Sequence, residues 1–507
     1  MLWGMSGTKY LRVFIAVLLV LSAAVGFAAD RWNCFTIIVG KDACDSGSVL
    51  LAHNEDDGGR DLFVNVHKLP AARYPSSDVV KLKNGAVVPQ QSQTLGFLWF
   101  QIPGIDFADS YINEKGVAIA SNACLSREDH PQLTGGGIGF MLRRLMAERA
   151  STAREAVEIG GQLIDNFGYY SSGRSYAIAD KKEGWLFQVV NGKHWVAQRV
   201  PDNQVAVVAN CYTISAVNLK DRKNFLGSPD IVSYAVRRGW YDPGRDGEFD
   251  FAAVYSAPGN IKNEKNALRQ WRGINLLSKK KFKMEPQFPF CFEPRKAVRF
   301  SDLFRVLRDH YEDTEYDLSD NYKKGSPNST KNRTICTQST RYSFVAVLRD
   351  EFPDGMAHLV WIAFGRPDSN GYSPWFISIH SPPEGYTYGR SDTALQSHFQ
   401  WPGKDKTFCF SSRYAYCFYA RLSELVDSSY RSRIRTARKE WRNFENYTAK
   451  QIKKMEKEFK YLLETDRSIA QKIISNFIYK WEYRKWFLAS ELIRQIGKEY
   501  EGMTKEP

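Results

Sequence analysis

A single cysteine, Cys34, stands at the head of the apolar run Phe35–Val39, a few residues beyond a short apolar leader. That run is rich in β-formers and reads as a strand, Asp45-Ser46-Gly47 reads as a turn, and Val49–Ala52 resumes as a second strand. Apolar β-rich runs separated by a turn cluster make a hairpin, so the sequence predicts a hairpin with Cys34 at its start. Ahead of it, Lys9 and Arg12 precede an apolar stretch from Val13 to Val25, followed by small residues at Gly26, Ala28 and Ala29. Basic, apolar and small residues in that order are the pattern of a secretory signal peptide. The stretch falls short of the roughly 20 residues that span a bilayer. The expected division is therefore a signal peptide over 1–28 and a short propeptide over 29–33. No later segment is long and uncharged enough for a stable membrane span, and the expected destination is the secretory pathway, either extracellular or a lysosome-like compartment.

The remainder has the composition of a folded globular chain, 43% hydrophobic and 25% charged. The net charge of +14 is spread along the chain instead of gathered into a patch, so no nucleic-acid partner is expected. A second hairpin is predicted around Ile112 and Val117–Ala120. Helices are predicted over Ile138–Arg149 and from Ala153 to about Asn166, the latter capped by Thr152. Strands follow at Ser175–Ala179, Trp185–Val190, His194–Arg199, Val205–Ala209, Ser343–Leu348 and His358–Ala363. A helical pattern runs from Ser301 through Leu303, Leu307 and Tyr311, and the polar stretch Ser319–Arg333 reads as a long exposed loop. From about Ser411 the pattern becomes long helices, with Ile452, Met455, Phe459 and Leu462 at helical spacing. The run Arg431, Arg433, Arg435, Arg438 and Arg442 reads as a solvated helix face. There are no repeats and no clear linker between independent domains.

Eight cysteines in an oxidising compartment invite disulfides, and taking Cys34 as a free thiol leaves an odd number. Sequons at Asn328, Asn332 and Asn446 would be surface sites if glycosylated. Position alone favours a buried or disulfide-bonded role for Cys34. Removal of Ala29–Asn33, however, would free an α-amine beside the thiol. An α-amine titrates near pH 7.7–8.0, so it can serve as general base to its own side chain.

The segment Cys34-Phe-Thr-Ile-Ile-Val-Gly-Lys, then Asp45-Ser-Gly-Ser and Ala52-His-Asn-Glu-Asp56, resembles the start of the secreted cysteine dipeptidases among the N-terminal-nucleophile hydrolases. Penicillin V acylases and bile salt hydrolases are more distant relatives of that family. Further similar motifs follow in matching order at Arg149–Val157, Arg199–Asp202, Val205–Asn210, Trp271–Gly273, Leu307–Glu312, Arg333–Thr337, Gly365–Asp368 and Ser412–Tyr416. The resemblance implies an α+β fold: a four-layer αββα sandwich over 34–410, with a helical C-terminal elaboration over 411–507 packed on it.

It also implies roles. Cys34 would be nucleophile and, through its α-amine, base. Asp56 would orient that amine, or else serve as a turn or cap residue. Asn210 would donate to an oxyanion, or simply end a strand. Asn122 would contact substrate or oxyanion, or be structural. Arg341 would be an active-site arginine, or an exposed strand residue. His53 stands where relatives usually carry arginine; it cannot make the same two-pronged contact, which bears on substrate preference, pH dependence or full activity.

The expected activity is hydrolysis of dipeptides through an acyl-enzyme, with small peptides as substrates and no metal or organic cofactor. An amidase acting on non-peptide N-acyl amides, and a catalytically weak secreted binding protein, are the alternatives. No zincin histidine pair, Gly-x-Ser-x-Gly elbow or phosphate-binding glycine loop is present in the sequence. The oligomeric state is not written in these motifs.

Overall fold

The computed structural model describes residues 34–57, 63–105, 107–352, 358–396 and 410–503. The leader and pro-segment expected over 1–33 lie outside the described residues.

Two antiparallel sheets dominate. The first has six strands: β1 (Phe35–Val39), β2 (Val49–Asp56), β14 (Val205–Val208), β16 (Thr340–Leu348), β17 (Leu359–Phe364) and β18 (Ser373–Phe376). They lie in the order β14-β1-β2-β16-β17-β18. The second has eight: β3 (Asn65–Leu69), β8 (Phe97–Gln101), β9 (Ser110–Asn113), β10 (Ala118–Ala123), β11 (Tyr169–Ala179), β12 (Gly184–Gly192), β13 (Trp195–Val200) and β15 (Phe225–Gly227). Their order is β15-β13-β12-β11-β10-β9-β8-β3. Two small ribbons, β4 (Ala72–Arg73) with β7 (Gln93–Thr94) and β5 (Val79–Lys81) with β6 (Val87–Pro89), fall between β3 and β8 in the chain.

Alternation along the strands explains the layering, because successive side chains point to opposite faces. On β11 and β12, Tyr176, Ile178, Trp185, Phe187 and Val189 join one core with helices α1 (Met141–Arg149) and α2 (Ala153–Phe167). Their neighbours Ala177, Ala179, Leu186 and Val190 face the other core, shared with the six-stranded sheet. Mostly small residues on the inner face let the sheets approach closely. At Gly184 a Cβ would sit 2.4 Å from the Ile38 Cγ2 atom. The outer face of the six-stranded sheet is covered by α5 (Glu264–Leu277) and α6 (Phe300–Leu307). Helix, sheet, sheet, helix: this is the αββα sandwich expected. The short helices α3 (Ile231–Arg237), α4 (Phe251–Tyr255) and α7 (Ser391–Gln396) lie in connections.

The last three helices, α8 (Ala415–Asp427), α9 (Tyr430–Thr465) and α10 (Arg467–Met503), pack against β17 and β18. Trp375 Nε1 donates to Glu482 Oε1 at 2.8 Å, and Lys485 Nζ donates to the Ile362 carbonyl at 3.0 Å.

Several local expectations change. α1 starts at Met141 instead of Ile138, because Gly135, Gly136 and Gly137 all have positive φ and Ile138 bridges to Tyr169. Tyr311 leaves the helical pattern with φ of 68°. The polar stretch 319–333 is held down instead of standing free: Ser319 is buried, and Tyr322 stacks edge-on against Tyr430. Of the arginine run, Arg431, Arg435 and Arg442 are at least partly exposed. Arg433 instead donates to the Leu425 carbonyl, and Arg438 reaches the Tyr322 hydroxyl. Among the described residues no helix is long and apolar enough to cross a membrane. No disulfide joins Cys34, Cys44, Cys124, Cys211, Cys291 or Cys336, which are thiols.

Candidate active site

The register of the first hairpin builds the site. Phe35 pairs with Asn54 and Thr36 with His53, so Cys34 and Glu55 fall opposite one another at the strand ends. Phe35 faces α5, where a Cβ at Gly273 would lie 2.6 Å from its ring. By alternation Cys34, Thr36, His53 and Glu55 turn the other way, into the space between the sheets. There the Cys34 thiol donates to Glu55 Oε1 at 3.2 Å. His53 Nε2 lies 2.9 Å from Glu55 Oε2, and His53 Nδ1 lies 2.8 Å from the Thr36 hydroxyl. That hydroxyl donates to Asn122 Oδ1 at 2.5 Å. Burial, then the nearby Glu55 and Asp56 carboxylates, push the Cys34 thiol well above its usual range.

Asp56 points to the opposite face of β2. Its Oδ1 accepts from the Thr340 hydroxyl at 2.6 Å, and Arg333 Nη2 lies 3.9 Å from Oδ2. Burial raises this carboxyl to about 7, despite the opposing pull of Arg333, Thr340 and Arg269. Oδ2 is buried and has no hydrogen-bond partner among the described residues.

Asn210 follows β14 and is fixed from both ends. Its Nδ2 donates to the Ala123 carbonyl at 3.0 Å, and its Oδ1 accepts from Arg269 Nη2 at 3.2 Å. An amide has two N–H donors, so this orientation leaves one for another acceptor. Arg269, on α5, also donates to the Cys34 carbonyl at 3.2 Å and to Asn266 Oδ1 at 2.7 Å. Asn266 in turn donates to the Asn210 carbonyl at 2.9 Å. One guanidinium thus ties the start of β1 to the end of β14.

Of the residues singled out in the sequence, Cys34, His53, Asp56, Asn122 and Asn210 converge here. Arg341 does not join them. It sits at the bulge where β16 pairs with β2, and its Nε and Nη2 donate to the Asp57 carbonyl at 3.1 and 3.0 Å. The arginine that meets the cysteine is Arg269, which is not among the residues singled out from the sequence; nor are Glu55 and Thr36. The two strand residues had a usable signal: with Cys34 and His53 facing one side, period two puts Thr36 and Glu55 on that side too. Arg269 had only its place two residues before the Trp271-Arg-Gly273 motif. Two described groups could in principle hold a metal ion: Cys34 with His53 and Glu55, and His310 with Cys336 and Asp368.

A groove of about 1120 Å³ between α5, α6 and α9 lies on another face of α5, lined by Trp271 and Arg272, not by Arg269. Its charges are largely paired, Arg272 with Asp309 and Arg308 with Glu445, so it reads as a structural ion network.

Comparison with known proteins identifies the family. The chain is 26% identical over 371 residues to a probable dipeptidase of Latilactobacillus sakei, covering 70% of this chain and 76% of that protein. It is 26% identical over 384 residues to a probable dipeptidase of Salmonella dublin, covering 72% and 86%. Dipeptidase A of Lactobacillus helveticus is 23% identical over 383 residues, covering 70% and 77%. A crystal structure of a mutant conjugated bile acid hydrolase from Clostridium perfringens overlaps 70% of this chain and 98% of its own, at 11% identity and a TM-score of 0.36. The fold assignment rests on the strand order itself, not on that overlap. The model of Peptidase family C69 matches residues 33–431, beginning one residue before Cys34, and the chain is therefore a member of that family and a cysteine-type peptide hydrolase.

Proposed function

We propose that the chain is a secreted dipeptidase that works through an acyl-enzyme on an N-terminal Cys34. The observation that carries this reading is the buried Asp56 Oδ2, which has no hydrogen-bond partner among the described residues and lies on the strand beside Cys34. An α-ammonium at Cys34 is the kind of group that would satisfy it, and would in turn favour the carboxylate form. The dipeptidase names of the relatives support the substrate class.

In this mechanism the free α-amine takes the thiol proton, which the buried thiol does not give up unaided. The thiolate attacks the peptide carbonyl, and the second N–H of Asn210 stabilises the developing oxyanion. The α-ammonium then returns the proton to the departing amino acid. Water, deprotonated by the same amine, releases the acyl group. Arg269 acts at one remove, by holding Asn210. Export is supported by the basic-apolar-small order of residues 1–28, and small dipeptides are the expected partners.

The test joins the mature N-terminus to the activity. Mass spectrometry of purified active protein is expected to find a chain beginning at Cys34 that hydrolyses unblocked dipeptides, with the activity lost in Cys34→Ala. Full activity in a chain retaining Ala29–Asn33 would overturn the mechanism. Hydrolysis of N-acyl amides alone would overturn the substrate class.

A further inference from the structure

We propose that Cys34, His53 and Glu55 form a binding site for a thiophilic divalent cation, Zn²⁺, whose occupancy blocks the nucleophile. The blocking rests on the reading of Cys34 as nucleophile; the binding does not.

The hydrogen bonds around His53 fix where the protons are. Asn122 Nδ2 donates to the Val208 carbonyl at 3.3 Å, which turns its Oδ1 toward Thr36. The Thr36 hydroxyl spends its only proton on that oxygen. It can therefore only accept from His53, so Nδ1 carries hydrogen. Nε2 is then the nitrogen free to present a lone pair, and it points at Glu55 Oε2 from 2.9 Å. Two lone pairs do not approach so closely without something positive between them. In the metal-free protein that is a shared proton. A metal ion is the other species that fits.

The donor set suits zinc. Thiolate and imidazole select Zn²⁺ over harder cations, and a carboxylate oxygen is a further accepted zinc ligand. The three ligand atoms lie within 4.8 Å of one another and all three residues are buried. With bonds of about 2.0–2.3 Å, tetrahedral ligands sit roughly 3.3–3.6 Å apart. The pair at 2.9 Å and the pair at 3.2 Å need to open only slightly. The ligating histidine already has what such ligands usually require, a hydrogen-bond partner fixing the tautomer from behind: here Thr36, itself fixed by Asn122. The charges balance too. Zn²⁺ displaces the thiol proton and the proton shared by His53 and Glu55, both go to solvent, and S–Zn, N–Zn and O–Zn bonds form. In a chain beginning at Cys34 the α-ammonium gives up a third proton to solvent, and the free amine closes a five-membered chelate with its own sulfur and fills the fourth position.

The second buried cluster, His310, Cys336 and Asp368, is the natural competitor. There Asp368 faces His310 Nε2 at 3.1 Å much as Glu55 faces His53, but the Tyr430 hydroxyl also occupies that nitrogen at 3.2 Å, and Arg366 lies 3.5 Å from the other Asp368 oxygen. A guanidinium beside the carboxylate opposes a cation.

The test titrates the purified processed protein with Zn²⁺ alone, without substrate, and follows alkylation of Cys34 by iodoacetamide in its tryptic peptide. One equivalent is expected to bind and to slow alkylation of Cys34. His53→Gln and Glu55→Gln are expected to weaken binding by at least about tenfold, and Cys336→Ala to leave it unchanged. The proposal is overturned if no Zn²⁺ binds, if bound Zn²⁺ leaves Cys34 alkylation unchanged, or if Cys336→Ala abolishes binding. The alkylation result needs no variant, so misfolding of a variant leaves it standing. Absence of Zn²⁺ binding with dipeptide hydrolysis intact removes the metal site alone. Zn²⁺ binding without dipeptide hydrolysis removes only the functional reading.

Discussion

Asp56 shows how much one position changes with its surroundings. A carboxyl raised to about 7 holds its proton in the folded protein while the unfolded chain has already lost it, between roughly pH 4 and 7. The folded state then binds more protons, so this group makes stability fall as pH rises through that window. In protein that retains residues 29–33, Asp56→Asn is expected to flatten that fall, by an amount on the order of 4 kcal/mol across the window. Urea unfolding at pH 4.5 and 7.5 measures it, and equal slopes in both proteins would remove Asp56 as the cause. Arg269 is a positioning residue. Arg269→Lys keeps the charge but loses the fork that reaches the Cys34 carbonyl, Asn210 and Asn266 together. We expect kcat to drop by about tenfold or more with KM little changed, since the disturbed donor matters most to the transition state. A rise in KM alone would contradict this.

At the scale of elements, the hairpin β1–β2 carries the site and α5 locks it. Gly273 lets α5 settle on Phe35, one turn beyond Arg269. Alanine there gains about 1 kcal/mol of helix propensity but meets the Phe35 ring at 2.6 Å. Overpacking of this kind costs about 1–3 kcal/mol. Gly273→Ala is therefore expected to lower stability and also slow turnover, read together as the urea midpoint and kcat. A gain in stability would show that the helix can retreat freely. The hairpin was legible because an apolar run, a turn cluster and a second apolar run follow one another without interruption. The position of α5 was not, because nothing local tells which face of a helix meets a strand over 230 residues away. Arg341 was expected there from the family resemblance, and nothing local pointed to Arg269 instead.

Across the whole molecule, the C-terminal helices bury two opposite, mutually attracting charges against the sheet. Glu482 and Lys485 are both fully buried, with Lys485 also held by Ser373 Oγ at 2.8 Å. Burial lowers the Lys485 ammonium to about 8, so its share of stability increases as pH rises from about 8 toward 10.5. Removing one of two attracting buried charges leaves the other uncompensated, which costs about 3–5 kcal/mol. Lys485→Met is expected to lose stability on that scale, and adding Glu482→Gln to recover most of it. Urea unfolding of both variants decides, and an unaffected single variant would mean the helices are not integral to the sheet. The proposed export adds an expectation at this scale. Asn446 is exposed on α9, whereas Asn328 and Asn332 use their amides in hydrogen bonds to Asp427 and the Tyr316 carbonyl. A glycosidase-sensitive mass shift lost in Asn446→Gln is the expected result, and its persistence would place the glycan elsewhere.

The sequence by itself determined the strand-turn-strand start and the ordered motifs that set the fold, and it carried, unread, the alternation that puts Thr36, His53 and Glu55 on one face. These depend on neighbours within a few residues, where the period of a strand and the chemistry of a turn suffice. Only the tertiary structure decided that His53 faces Glu55 with a fixed tautomer, that Asn122 bridges the sheets, and that Arg269 holds Cys34 against Asn210. Apart from His53 with Glu55 inside one strand, those contacts join residues 59 to 235 positions apart, and each depends on two elements packing at one distance, which no local pattern encodes.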